Sequence, residues 1–116
     1  MSHWAELDEN NVVIRVLVGD NNDPNGDEGY QWLIDNLGGT WVKASYNGTI
    51  RKNYPNAGFY YDNALDGFIA PKIYESWVLN TNTCRFEPPI PYPSSGYWYW
   101  NEETLSWLEA VIPDQE

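Results

Sequence analysis

Three stretches of the chain repeat one arrangement of apolar and polar positions. They are Tyr60-Tyr61-Asp62-Asn63-Ala64-Leu65-Asp66-Gly67-Phe68, Val78-Leu79-Asn80-Thr81-Asn82-Thr83-Cys84-Arg85-Phe86 and Tyr99-Trp100-Asn101-Glu102-Glu103-Thr104-Leu105-Ser106-Trp107. In each, two strand-forming residues precede an Asp or Asn, and an aromatic stands six residues after it. A short Asx side chain accepts hydrogen bonds from backbone N–H groups just ahead of it, so Asp62, Asn80 and Asn101 are expected to open type I turns. Loops of about three to five residues built on such turns join antiparallel strands. The returning strands are expected to resume at Leu65, Thr83 and Thr104. Phe68, Phe86 and Trp107 then lie within reach of Tyr60, Val78 and Tyr99 and are expected to pack as core. The copies are unevenly spaced, which argues against a solenoid and for consecutive hairpins in a meander. Ala70-Pro71 and Pro88-Pro89-Ile90-Pro91-Tyr92-Pro93 separate them, because proline cannot donate to a ladder.

The earlier half reads as hairpin, helix and hairpin. Trp4 to Leu7 alternates as a short strand, Asp8-Glu9-Asn10-Asn11 is a turn, and Val12 to Val18 is a strand with Val12, Ile14, Val16 and Val18 on one face. Asp8 takes the Asx position of a fourth hairpin. A polar loop follows from Gly19 to Gly29. Residues 27–37 predict one short α-helix, with Tyr30, Leu33, Ile34 and Leu37 as its apolar face, acids at its start and Gly38-Gly39 at its end. Such a helix must dock on a sheet to be stable. Thr40 to Tyr46 is strand-like, Asn47-Gly48 is a hairpin signal, and Thr49 to Lys52 is the expected return. The fold class expected is therefore α+β, mostly β: tandem antiparallel hairpins with one helix near residues 27–37. The chain reads as a single domain over 1–116, with residues 1–59 as hairpin, helix and hairpin and residues 60–110 as the three repeated phrases.

Composition sharpens this picture. Seven Trp, nine Tyr and three Phe in 116 residues mean that rings supply much of the core. The net charge of −11 repels phosphate backbones and anionic lipid, so neither nucleic acid nor a membrane is an expected partner. No stretch approaches the about 20 apolar residues of a membrane span. No basic region followed by an apolar run opens the sequence, so no signal peptide is expected. Cys84 is the only cysteine, which excludes an internal disulfide and a cysteine zinc cluster.

Candidate chemistry is sparse. Asn21, Asp23, Asn25 and Gly26 match the opening of an EF-hand loop, and Asp20, Asp23 and Asp27 are the carboxylates that would hold an ion there. The loop's twelfth position is Trp32 rather than Glu, and turn chemistry with helix capping accounts for the same residues. No metal or other cofactor is expected. His3, the only histidine, lies near the start of the chain, and Cys84 has no placed base. No phosphate loop is present in the sequence, so no enzymatic activity is expected. Arg51 and Lys52 could meet an acidic partner, although a solvated strand end explains them too. The aromatic excess is concentrated where Trp98 and Trp100 share one strand face and Tyr97 and Tyr99 the other. One of these faces is expected to be an exposed strip, suited to a protein or a sugar.

Over most of its length the chain resembles small proteins encoded by tailed bacteriophages of marine cyanobacteria and other marine bacteria. The blocks that carry the resemblance run from His3 to Val16, then Gly38-Gly39-Thr40-Trp41-Val42, Ser45 to Lys52, Phe68-Ile69-Ala70-Pro71-Lys72, Ser76 to Asn80 and Pro88 to Pro93. Where that family has Gly-Tyr-Thr-Tyr, this chain has Gly58-Phe59-Tyr60-Tyr61. The resemblance transfers no catalytic motif. It implies a phage origin and a place in or on the virion, with synthesis in the host cytoplasm. The function expected is that of a non-enzymatic virion structural or accessory protein, capsid- or tail-associated, contacting other virion proteins or copies of itself. Two alternatives stand beside it. One is a host-adhesion module that stacks a surface glycan on Tyr97, Trp98, Tyr99 and Trp100; the other is an intracellular factor that binds a host protein.

Overall fold

Asp8 builds the first turn as its chemistry dictates: its Oδ1 accepts from the N–H groups of Asn10 (2.8 Å) and Val12 (2.9 Å). On either side of it, β1 (Ser2–Leu7) and β2 (Val13–Gly19) pair antiparallel. The computed structural model describes residues 2–20 and 22–111. Strand β3 (Thr40–Ala44) pairs with the other edge of β1, from His3↔Ala44 to Leu7↔Thr40, giving the sheet order β2-β1-β3. Thr49 to Lys52 does not return along β3, which pairs with β1 alone. Asn47-Gly48 instead sits in a local turn in which Gly48 N–H donates to Ser45 O and the Ser45 hydroxyl accepts from Thr49 and Ile50.

Both faces of this sheet are covered. On one face Ala5, Leu7, Val13 and Ala44 are buried with Tyr61 and Phe68. On the other, Trp4 and Trp41 are buried with Leu33 of α1 (Tyr30–Leu37). The buried residue of β2 is Val13, and of the expected row Val16 packs on the first cluster while Ile14 and Val18 are exposed. The pairing shifts between Glu6↔Arg15 and Leu7↔Val13, leaving Ile14 as the extra residue of a bulge. A bulge reverses the alternation beyond it, so Val13 and Val16 both join the cluster around Ala5 and Phe68. The helix starts after residue 29, later than its pattern suggested, because Asp27 lies ahead of it as an acceptor for Gly29 and Gln31 N–H.

The repeated phrases form three separate two-stranded sheets: β4 (Tyr60–Asp62) with β5 (Gly67–Ile69), β6 (Val78–Asn80) with β7 (Arg85–Glu87), and β8 (Trp98–Asn101) with β9 (Ser106–Glu109). Their Asx residues act as expected. Asp62 Oδ1 accepts from Leu65 N–H (3.0 Å), Asn80 Oδ1 from Asn82 and Thr83 N–H, and Asn101 Oδ1 from Thr104 N–H (2.9 Å). The strands resume later than Leu65, Thr83 and Thr104, at Gly67, Arg85 and Ser106. As a result Phe68 faces Tyr61 and Trp107 faces Trp100, one residue past the partners expected. Among the described residues the protein is mostly β with one helix, α+β in class.

The chain falls into two compact units, 1–71 with 80–85, and 72–79 with 86–116. In the first, Asn53 ties the 80–85 turn down: its Nδ2 donates to Phe68 O, Thr83 O and Cys84 O, and its Oδ1 accepts from Arg85 Nε. Cys84 is fully buried there against Gly67 and Lys52. In the second, rings from Tyr74, Trp77, Tyr92 and Trp107 cluster around the buried Trp100. The proline-rich 88–93 segment is more than a link, since Ile90 O accepts from Trp107 Nε1 and the Tyr92 hydroxyl from Trp98 N–H.

Candidate functional site

Strand β8, with Tyr97 just ahead of it, separates its rings by alternation. Trp100 turns inward and is 6 % exposed, while Tyr97 and Tyr99 turn outward at 67 % and 53 %. The inward side is heavily constrained. Trp100 meets Trp107 edge-on at 5.2 Å and Trp77 at 6.1 Å, and Trp107 meets Tyr92 at 5.0 Å. Edge-to-face pairs of this kind add about 0.5–1.5 kcal/mol beyond the area they bury.

Glu102, in the β8–β9 loop, locks the cluster to the chain ahead of it. Its carboxylate accepts from Trp100 Nε1 (2.9 Å), Ser76 N–H (3.0 Å) and the Ser76 hydroxyl (2.6 Å). The Ser76 hydroxyl, and after it Trp100 Nε1, hold the carboxyl below the usual glutamate range against a smaller opposing effect of burial. Trp77 Nε1 is the exception to this order: among the described residues it is a buried donor without a partner. Tyr97 and Tyr99 therefore project from the face opposite these packed rings.

The four rings of the expected strip thus do different work. Trp100 is core and cannot stack on a ligand. Trp98 is half-buried, with Nε1 donating to Ser95 O (2.7 Å). Tyr97 and Tyr99 remain as the exposed pair.

Arg51 and Lys52 are not presented to a partner as a free basic end. Arg51 Nη1 donates to Lys43 O (2.8 Å), its Nε pairs with Asp66 Oδ1 (2.9 Å), and its guanidinium lies 5.9 Å from the centre of the Tyr61 ring. Lys52 Nζ donates to Leu65 O and Thr81 O, the carbonyls of two hairpin turns. Both cations serve the first unit's own loops.

The acidic loop gathers no ion site among the described residues. Asp20, Asp23 and Asp27 each turn back on the local backbone, accepting from the N–H groups of Asn22, Asn25 and Gly29. Asn21, the first residue of the calcium-loop match, lies outside the described residues. His3 packs between Tyr46 and Tyr54, and burial pushes the Cys84 thiol up from its ordinary value.

Sequence reasoning missed Trp77 and Glu102, which organise the support. Neither belongs to a motif, and nothing local distinguishes Glu102 from its neighbour Glu103. No protein-family model, no curated protein and no solved structure matches this chain.

Proposed function

We propose that the chain is a non-enzymatic bacteriophage protein, a structural or accessory component of the virion that works through protein–protein contacts. The phage attribution rests on the resemblance of the sequence blocks described above. The contact role rests on one observation: Tyr97, just ahead of β8, and Tyr99, within it, are exposed on the face opposite the packed Trp100 and Trp107 rings. Tyrosine is enriched at protein interfaces because it offers large contact area at low entropic cost. Its partner is another virion protein or a second copy of this chain.

Mass spectrometry of gradient-purified particles tests the assignment. The chain is expected at a fixed copy number per particle that survives high-salt washing. Its absence from particles, with abundance in the infected-cell lysate, would leave the reading in which it binds a host protein.

A further inference from the structure

The first unit holds a cavity of about 440 Å³ lined by Tyr46, Asn47, Lys52, Asn53, Tyr54 and Arg85 among others. Its size suits a small ligand, for which sites of about 300–1,000 Å³ are usual. Its lining is unlike the rest of the surface. In a chain of net charge −11 it carries two of the six basic residues and, among the described residues, no acid.

The cations are held in place. Arg85 is aimed by its Nε bond to Asn53 Oδ1 (2.8 Å), which leaves the rest of the guanidinium fork unspent among the described residues. Lys52 is fixed by Leu65 O (3.1 Å) and Thr81 O (3.4 Å). The rings are held as well. Tyr54 is pinned by its hydroxyl to His3 Nδ1 (3.2 Å) and edge-on to the His3 ring at 5.3 Å. Tyr46 leans on Tyr54 at 5.6 Å with a tilt of 57°, yet remains 78 % exposed.

We infer that this cavity binds an acidic saccharide, a sugar ring carrying a carboxylate or sulfate. The tilted phenol rings offer a corner against which the C–H face of a pyranose packs. Arg85 reads the acid group with the charge of Lys52, held on Leu65 O and Thr81 O, beside it, and the Asn47 amide reaches hydroxyls. A bare anion would leave the rings unused, and a neutral sugar would leave the cations unused. A polyphosphate is disfavoured by the long-range field of the acidic chain, which a single carboxylate or sulfate beside two local cations withstands. Preorganised donors reduce the ordering cost of binding. The inference does not depend on where the protein resides or on its proposed virion contacts.

The test is calorimetric titration of the full chain at low ionic strength with digalacturonate, a sulfated galactose, neutral galactobiose, acetate and inorganic sulfate. At least one acidic sugar is expected to bind at least tenfold tighter than galactobiose and than either bare anion. Whichever binds identifies the acid group. Tyr46→Ala and Arg85→Gln are each expected to weaken that binding at least fivefold, and added salt to weaken it progressively. Should Arg85→Gln disturb folding through Asn53, Tyr46→Ala and the salt series on the unaltered protein still decide. Equal affinity for the neutral sugar or a bare anion, indifference to Tyr46→Ala, or no binding of either acidic sugar at millimolar concentration would overturn the inference.

Discussion

Asp66, Cys84 and Leu105 occupy one station in the three hairpins, the fourth residue after the Asx, and all are left-handed with φ of 53°, 57° and 52°. A side chain in that region costs about 1–2 kcal/mol, whereas glycine bears no such cost but loses more chain entropy. Leu105 is half exposed and gains little from its position. Leu105→Gly is therefore expected to raise stability by about 0.5–1 kcal/mol in urea unfolding; a loss would show that its side chain contributes contacts that outweigh the strain. Gly67 is the opposite case. A Cβ there would lie 2.6 Å from Cys84 Sγ and 2.9 Å from Lys52 Cβ. Gly67→Ala should cost about 1–3 kcal/mol by overpacking, and the cost should shrink in a Cys84→Gly background; equal costs in the two backgrounds would contradict the contact. Glu102 predicts a pH dependence. Its folded pKa is depressed, so its contribution is present above the ordinary glutamate range and is lost as pH falls through the folded value. Thermal unfolding followed at falling pH should lose less for Glu102→Gln than for the unaltered protein, and identical acid slopes would argue against the Ser76 and Trp100 bonds.

Among the elements, the Asx residue that opens each hairpin is the feature most legible in the sequence. Asp8, Asp62, Asn80 and Asn101 all accept the backbone N–H groups their chemistry favours. Asn101→Ala leaves Thr104 N–H without its acceptor and should cost about 1 kcal/mol, readable as a lower unfolding midpoint. No change in midpoint would mean that strand pairing alone closes the loop. Loop length was not legible, because the left-handed station is filled by Asp, Cys and Leu, none of which advertises it as glycine would. The Asn47-Gly48 signal does mark a turn, but the Ser45 hydroxyl takes the N–H groups of Thr49 and Ile50, and these residues close a local loop rather than a return strand. The bulge at Ile14 likewise has no sequence mark, and it breaks the single face expected of Val12, Ile14, Val16 and Val18.

At the scale of the whole molecule, the fold class and the aromatic excess were readable, and the division of labour among the rings was not. The alternation of Tyr97, Trp98, Tyr99 and Trp100 predicts two faces but not which one is covered. That was decided by Trp77 and Tyr92, which come from elsewhere in the chain. Arg51 and Lys52 looked available for the same reason: the carbonyls that engage them, Lys43 O, Leu65 O and Thr81 O, are distant in sequence. The account's central claim is that the outward Tyr97 and Tyr99 attach this chain to a particle. The most direct measurement is quantitative mass spectrometry of virions purified from cells that express either the unaltered chain or a Tyr97→Ser, Tyr99→Ser variant with an unchanged melting temperature. The account predicts that the unaltered chain is incorporated and the variant is depleted at least tenfold. Equal incorporation of the two, or absence of both from the particle, would contradict it.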